Sequence, residues 1–268
     1  MGIRFTVLSS GSTGNATVVR NDDTALLIDA GLSAKRIDEL MLERDMLGSQ
    51  LDGILVTHEH SDHIRGLGAV ARKYNLPIYA NTNTWKAMHK SIGKIAEENI
   101  RILESGEVTE FKSLRVESFG ISHDAAEPVG YSFYDGKEKL SVATDLGYMS
   151  DKVRDAISDA DVMVLEANHD IDMLRMGRYP WNTKRRIMGD LGHLSNEAAG
   201  AALSELMNGI TKRVYLAHLS RDHNMMELAK LTVRNAMEER GCFYKDSEFQ
   251  LCETYYDRPT PWDKVSSP

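Results

Sequence analysis

Three histidines and two carboxylates fall within six residues at His58-Glu59-His60-Ser61-Asp62-His63, just after the apolar run Ile54-Leu55-Val56. Imidazole nitrogens and carboxylate oxygens are donors that suit zinc, manganese or iron, and no thiolate stands nearby. His58 and His60 leave a strand end with their rings on one side, so both can face one cation. Asp62 and His63 then turn away with the chain and can face a second cation a few ångströms off. The bland alternative is a polar turn with solvated histidines, and the H-x-H-x-D-H spacing argues against it. The stretch reads as a metal site.

Single histidines and acids recur where other apolar strands end. Asp29 closes Thr24–Ile28, Asp145 closes Leu140–Ala143, and His218 closes Val214–Ala217, with His123 and His193 in polar breaks. A buried aspartate seldom stays unpaired, because an uncompensated buried charge is expensive. Taken alone, His123 or His218 would more often be an ordinary loop or core histidine. Strands are expected near 3–8 and 16–20, joined by Ser9–Asn15, whose backbone could cradle a phosphate or simply turn a hairpin. Ser12 and Asn15 are the substrate candidates there. Helices are expected over about 33–47 (capped by Ser33), 62–75 (closed by Asn75), 149–158, 196–208 and 225–239. Alternating strands and helices without long linkers predict α/β layering. One domain over 1–253 is expected, followed by a frayed tail over 254–268.

A chain of 268 residues can bury a substantial core. Its apolar fraction of 42% is ordinary, no apolar run is long enough for a membrane span, and the N-terminus has no signal-peptide layout. Two cysteines outside any C-x-x-C pair, Cys242 and Cys252, point to a reduced, cytoplasmic location with the thiols as packing residues. A net charge of −8 argues against a protein that coats nucleic acid non-specifically. It leaves a nuclease open, because bound cations and a local basic patch can reverse the field. Such a patch exists. Arg175, Arg178, Lys184, Arg185 and Arg186 are interleaved with Tyr179 and Trp181, offering phosphate contacts and stacking faces. A solvated loop is the alternative reading.

The ordered set Asp29, H-E-H-S-D-H, His123, Asp145 and His218 resembles the metallo-β-lactamase-fold hydrolases. That resemblance implies a four-layer αββα sandwich holding two metals between the sheet edges. By it, His58, His60 and His123 would hold one ion, Asp62, His63 and His218 the other, and Asp145 would bridge. Asp29 would fix the ligand loops by hydrogen bonds rather than touch metal. Val164-Leu165-Glu166-Ala167-Asn168, Gly192-His193-Leu194-Ser195 and Ala217-His218-Leu219-Ser220-Arg221 are similar to blocks of the ribonuclease Z-type phosphodiesterases. There a Glu orients a His on the scissile phosphate, which would make Glu166 and His193 catalytic together with Asp62. Leu165 departs from that pattern, where a His precedes the Glu, and the long tRNA-holding arm is missing. Over its whole length the chain resembles the YycJ/WalJ group of small bacterial exonucleases.

The resemblance implies a metal-dependent phosphodiesterase, a 5′–3′ exonuclease on DNA rather than RNA. Two divalent ions, manganese or zinc ahead of iron, would activate one water for in-line attack on phosphorus. The substrate contacts expected are Ser12, Asn15, His169, Arg178, Trp181, Lys184, Arg185, Arg186 and Arg221. His169 and His223 are balanced between substrate contact and polar surface, and His89 reads as a solvated helix residue. Two other readings stay open. One is a lactone or thioester hydrolase of the same fold; the other is a metal-bound regulatory module without catalysis. No membrane partner is expected.

Overall fold

The computed structural model describes residues 2–266. Two seven-stranded mixed sheets lie face to face with helices outside each, which is the four-layer α/β sandwich expected. The first sheet runs in the order β14-β1-β2-β3-β4-β5-β6. Its strands are β1 (Arg4–Ser9), β2 (Ala16–Arg20), β3 (Ala25–Ile28), β4 (Gly53–Leu55), β5 (Ile78–Ala80), β6 (Ile100–Ile102) and β14 (Asp263–Lys264). The second runs β13-β12-β11-β10-β9-β8-β7. Its strands are β7 (Val108–Phe111), β8 (Leu114–Gly120), β9 (Val129–Asp135), β10 (Glu138–Ala143), β11 (Val162–Glu166), β12 (Arg213–Ala217) and β13 (Gln250–Glu253).

Side-chain alternation with a period of two builds the layers, because successive residues of a strand point to opposite faces. Leu26 and Ile28 of β3, Leu55 of β4, and Val162 and Val164 of β11 enter the core between the sheets. Their neighbours Leu27, Ile54 and Val56 face a core under α1 (Ala34–Leu42), α2 (Ser61–Ile64), α3 (Leu67–Tyr74) and α4 (Thr82–Met88). Met163 and Leu165 face a third core under α5 (Asp151–Ile157), α8 (Asn196–Leu206) and α9 (Met226–Glu238). Central strands buried on both faces read as continuous apolar runs. In each sheet a parallel set, β3-β4-β5-β6 and β10-β11-β12-β13, aims its carboxyl ends at one rim of the sandwich. Ligand sites of parallel sheets form outside those ends.

Three expectations are corrected. The helix expected over 62–75 is two, interrupted at Gly66, whose N–H bonds the Ala30 carbonyl at 2.8 Å and where a Cβ would strike the Leu32 carbonyl. Asn75 does close the second piece in left-handed backbone, φ 52°. The first long helix stops at Leu42 rather than 47, since Asp45 turns left-handed at φ 53°. The expected frayed end is instead packed over 254–266: β14 pairs with β1, and Thr260 binds Thr6 and Val7. Arg44 also donates to the Thr260 and Pro259 carbonyls. Tertiary partners hold a segment whose own composition looks disordered. Residues 267 and 268 lie outside the described residues.

The Val7 N–H bonds the Thr260 hydroxyl at 3.0 Å in a buried site. Thr260→Val keeps the shape but orphans that donor, which typically costs about 1–3 kcal/mol. Urea unfolding should show a loss of that size at unchanged m-value; a change under 0.5 kcal/mol, about the scatter of a neutral surface substitution, would contradict the packed end.

Candidate metal centre

Strand ends deliver the site. β3 leads to Asp29, β4 leads into His58–His63, β10 leads to Asp145, β11 ends in Glu166 and β12 leads to His218. Asp29, Asp145 and His218 all take left-handed backbone, with φ of 58°, 60° and 57°. Such φ values are uncommon outside glycine and turn the chain sharply, so each side chain is set at the rim. Gly31 lets the loops close: a Cβ there would overlap the Asp62 carbonyl.

His58, His60 and His123 each place a donor atom within 4.8 Å of the other two, and Asp62, His63 and His218 do the same. Asp145 joins them, with Oδ2 3.2 Å from His63 Nε2 and Oδ1 3.7 Å from His123 Nε2. The sequence places these residues up to 160 positions apart; the fold brings all seven together.

Hydrogen bonds at the far ring nitrogens decide what each imidazole offers. His63 Nδ1 lies 2.7 Å from Asp29 Oδ2, His218 Nδ1 2.9 Å from Glu166 Oε1, and His123 Nδ1 3.0 Å from the Gly192 carbonyl. His58 Nδ1 meets the Thr57 hydroxyl at 3.0 Å. With Nδ1 engaged, these rings turn Nε2 toward the shared pocket. His60 is reversed, because its Nε2 meets the Asp124 carbonyl at 3.2 Å and its Nδ1 faces His123.

Three buried atoms of the cluster have no hydrogen-bond partner: His58 Nε2, His218 Nε2 and Asp145 Oδ2. The 3.2 Å approach of Asp145 Oδ2 to His63 is a charge contact without hydrogen-bond geometry. Buried polar atoms are nearly always satisfied, so three orphans converging on one pocket fit the ligand atoms of a divalent cation. The donors are nitrogen and oxygen throughout, as borderline divalent ions prefer.

Electrostatics agree. Burial, with the neighbouring His63, holds His58 well below the usual imidazole range, so it stays neutral. Burial opposes protonation of His63 too, but the Asp145 and Asp29 carboxylates outweigh it and raise the ring to about 10. His218 is raised for the same reason by Asp145, Asp62 and Glu166. Asp145 is driven well below the carboxylate range by His218 and His63, against its burial. The carboxylates thus gather negative charge at this pocket, which favours positive charge beside them.

Two residues do more than their sequence position suggested. Glu166 Oε1 meets both His193 Nδ1 and His218 Nδ1 at 2.9 Å, while Oε2 accepts from the Leu146 and Leu194 N–H groups at 2.7 and 3.0 Å. It therefore orients a ligand-cluster ring as well as His193. Thr57 gives its N–H and hydroxyl to Asp29, each at 2.8 Å, and was not foreseen. Only its place before His58 could have signalled it.

A pocket of about 220 Å³ opens above the cluster, lined by His60, Asp62, His123, Asp145, His193 and His218 together with Ser12, Asn168, Tyr179, Arg186, Ile187 and Ser220. Of the expected substrate contacts, Ser12 and Arg186 reach it. Trp181 and Arg185 are exposed on α7 (Trp181–Ile187), and Arg178 in the turn that joins it to α6 (Ile171–Met176), all outside the pocket lining. Arg221 lines a neighbouring cavity instead. Three expectations are corrected. Lys184 is buried, and its ammonium donates to the Arg175 carbonyl at 2.6 Å, joining the two short helices. Asn15 is buried under the cluster, with Oδ1 on the Gly11 N–H and Nδ2 3.1 Å from His63 Nε2. His169 is buried beside Ser195, and burial lowers it to about 4. None of the three faces solvent for a substrate to reach. His223 is likewise buried, packed edge-on against Tyr179, and His89 is exposed as expected.

The sequence pattern of the beta-lactamase superfamily domain matches residues 24–219, a span that includes every cluster residue. The chain is 50% identical over 260 residues to exodeoxyribonuclease YycJ of Bacillus anthracis, covering 97% of this chain and 98% of that one. It is 41% identical over 267 residues to exodeoxyribonuclease WalJ of Streptococcus pneumoniae, covering 99% of both. Among solved structures, the metallo-β-lactamase fold protein YhfI from Bacillus subtilis superposes with a TM-score of 0.73 at 15% identity, over 97% of this chain and 99% of that one.

Asp29 holds both Thr57 and His63. Removing a carboxylate that orients a ligand typically costs about 10–100-fold in metal affinity. Asp29→Ala should show that loss when manganese or zinc is titrated into stripped protein. Wild-type protein should take up two ions per chain; an affinity unmoved by Asp29→Ala would refute its orienting role.

Proposed function

The chain belongs to the beta-lactamase superfamily, and from that premise we propose that it is a metal-dependent nuclease, an exodeoxyribonuclease that shortens DNA in the 5′–3′ direction. Likeness over nearly the full length of two exodeoxyribonucleases supports the substrate class. The observation that carries the chemistry is the Glu166–His193 pair beside the metal cluster, at 2.9 Å. Manganese or zinc would suit the donor set: His58, His60 and His123 could hold one ion and Asp62, His63 and His218 another, with the Asp145 carboxylate within reach of both groups. Bound there, two divalent ions would acidify a water and neutralise charge gathering on the phosphoryl oxygens.

The chain supplies the rest. Burial opposes a charge on His193, but Glu166 outweighs it and raises the ring, favouring the imidazolium. With Nδ1 held by Glu166, Nε2 is left to the pocket, where it can donate to a phosphate oxygen or protonate the leaving oxygen. Arg186 pairs with Asp124 at the pocket wall and offers a second positive group to the phosphate. Arg175, Arg178 and Arg185 stand exposed beside Trp181, which is 56% exposed. That surface can follow a phosphate backbone and stack bases, reversing locally the field of a chain with net charge −8. No helix among the described residues is long and apolar enough to cross a membrane. A cytoplasmic location fits the two free cysteines.

End-labelled DNA and RNA digested by stripped protein, with manganese and zinc restored separately, test the reading. DNA should be shortened from one end only when metal is returned. Cleavage of a lactone or thioester but of no phosphodiester would overturn it. His193→Ala should lower kcat about 10²–10⁴-fold, the usual worth of a positioned acid, without changing metal content. Affinity for single-stranded DNA should fall steeply with added salt, and Arg178→Ala/Arg185→Ala should flatten that slope.

A further inference from the structure

A cavity of about 480 Å³, larger than the metal pocket, adjoins it, and the two share Ser220. One wall is the turn after His218, through Leu219, Ser220 and Arg221. The other is the strap Thr254–Arg258, and Met225 and Met226 at the start of α9 form the floor. The strap is tied to the loop beneath the metal cluster: the Ser10 N–H bonds the Tyr255 carbonyl, and the Ser9 hydroxyl the Tyr256 carbonyl, both at 2.9 Å. The Ser10 hydroxyl in turn accepts the His218 N–H at 2.8 Å. Cavity and metal cluster are therefore held in fixed register.

Its lining combines three kinds of group. Arg221 stacks on Tyr256 with its guanidinium carbon 4.4 Å from the ring centre, and Arg258 on Tyr255 at 3.9 Å. Both arginines are exposed, and neither is ion-paired to a carboxylate among the described residues. Such planes serve as stacking faces and phosphate donors together. Met225, 57% exposed, adds a polarizable apolar surface. Glu227 and Asp257 are exposed at the rim, where a carboxylate can accept from an exocyclic amino group of a base. A polyphosphate would be repelled by these acids, and a purely apolar ligand would strand the guanidinium groups. A nucleoside carrying one phosphate satisfies all three.

We propose that this cavity binds the nucleoside phosphate next to the scissile bond of the strand, which gives the enzyme its grip on a chain end. The assignment rests on the nuclease reading for the strand, though not for the binding itself. Arg221 and Arg258 would take its phosphate, Tyr256 and Met225 its base.

The test compares metal-loaded wild-type protein with Arg221→Ala/Arg258→Ala and, separately, Met225→Asp, each checked for an unchanged melting temperature. Saturation-transfer NMR with deoxyadenosine 5′-monophosphate should show base protons touching wild-type protein, with affinity reduced at least 10-fold in both variants. Deoxyribose 5-phosphate should bind more weakly than the nucleotide. KM for an oligonucleotide should rise about 10-fold or more in both variants, with kcat changed less. Equal nucleotide binding by wild-type and variant proteins would overturn the proposal even if DNA is cut. Variant-sensitive nucleotide binding without any DNA cleavage would uphold the pocket and remove the nuclease reading instead.

Discussion

Two buried carboxylates, one at the rim of each sheet, hold the molecule's chemistry in place. Asp29 accepts from the Thr57 N–H and hydroxyl and lies against His63; Glu166 takes two backbone N–H groups and two imidazoles. Both are almost fully shielded from water. A buried charge is tolerable only when fully hydrogen-bonded, so each acid dictates where its partners must stand. The partners of Asp29 lie in the loop after β4 and in α2, and those of Glu166 in three separate loops, after β10, before α8 and after β12. Each acid thus ties together the loops of its own sheet along one rim, and His63 and Asp145 meet across that rim at 3.2 Å.

That arrangement has a cost visible in the backbone. Asp29, Asp145 and His218 sit in left-handed conformation just past the ends of β3, β10 and β12. Non-glycine residues persist there only where surrounding contacts over-determine them, at about 1–3 kcal/mol each. The strain sets the side chains at the crevice between the sheets. Two carboxylates, Asp62 and Asp145, close to five imidazoles then leave orphaned ligand atoms that a pair of cations would satisfy. Stability and metal affinity are the same problem here, because the groups left unsatisfied without metal are those that would bind it.

Around this centre the surface is divided by charge. The chain is acidic overall, yet the segment over 171–187 presents arginines and an exposed tryptophan beside the pocket. The strap over 254–258 presents Arg258, and the turn after His218 presents Arg221, around the neighbouring cavity. A polyanion approaching this rim meets cations first and the acidic body elsewhere, which favours one docking direction.

Much of this was legible in the residues alone. The H-x-H-x-D-H run declares itself because a strand end followed by a tight turn fixes six neighbours locally, whatever the rest of the chain does. The apolar strands ending in Asp29, Asp145 and His218 are equally local, since period-two burial and a terminal polar residue need no distant partner to be recognised. Which of those ends meet was decided by sheet order. Glu166 serves His218 as well as His193 only because β11 and β12 are parallel neighbours in register. Lys184, Asn15 and His169 looked available to a substrate, and the fold buried each against a partner that composition cannot reveal. The tail over 254–266 looked disordered by composition, yet pairing with β1 more than 250 residues away made it a cavity wall. Spacing along the chain encodes local geometry; burial and long-range hydrogen bonds exist only once the two sheets have closed on each other.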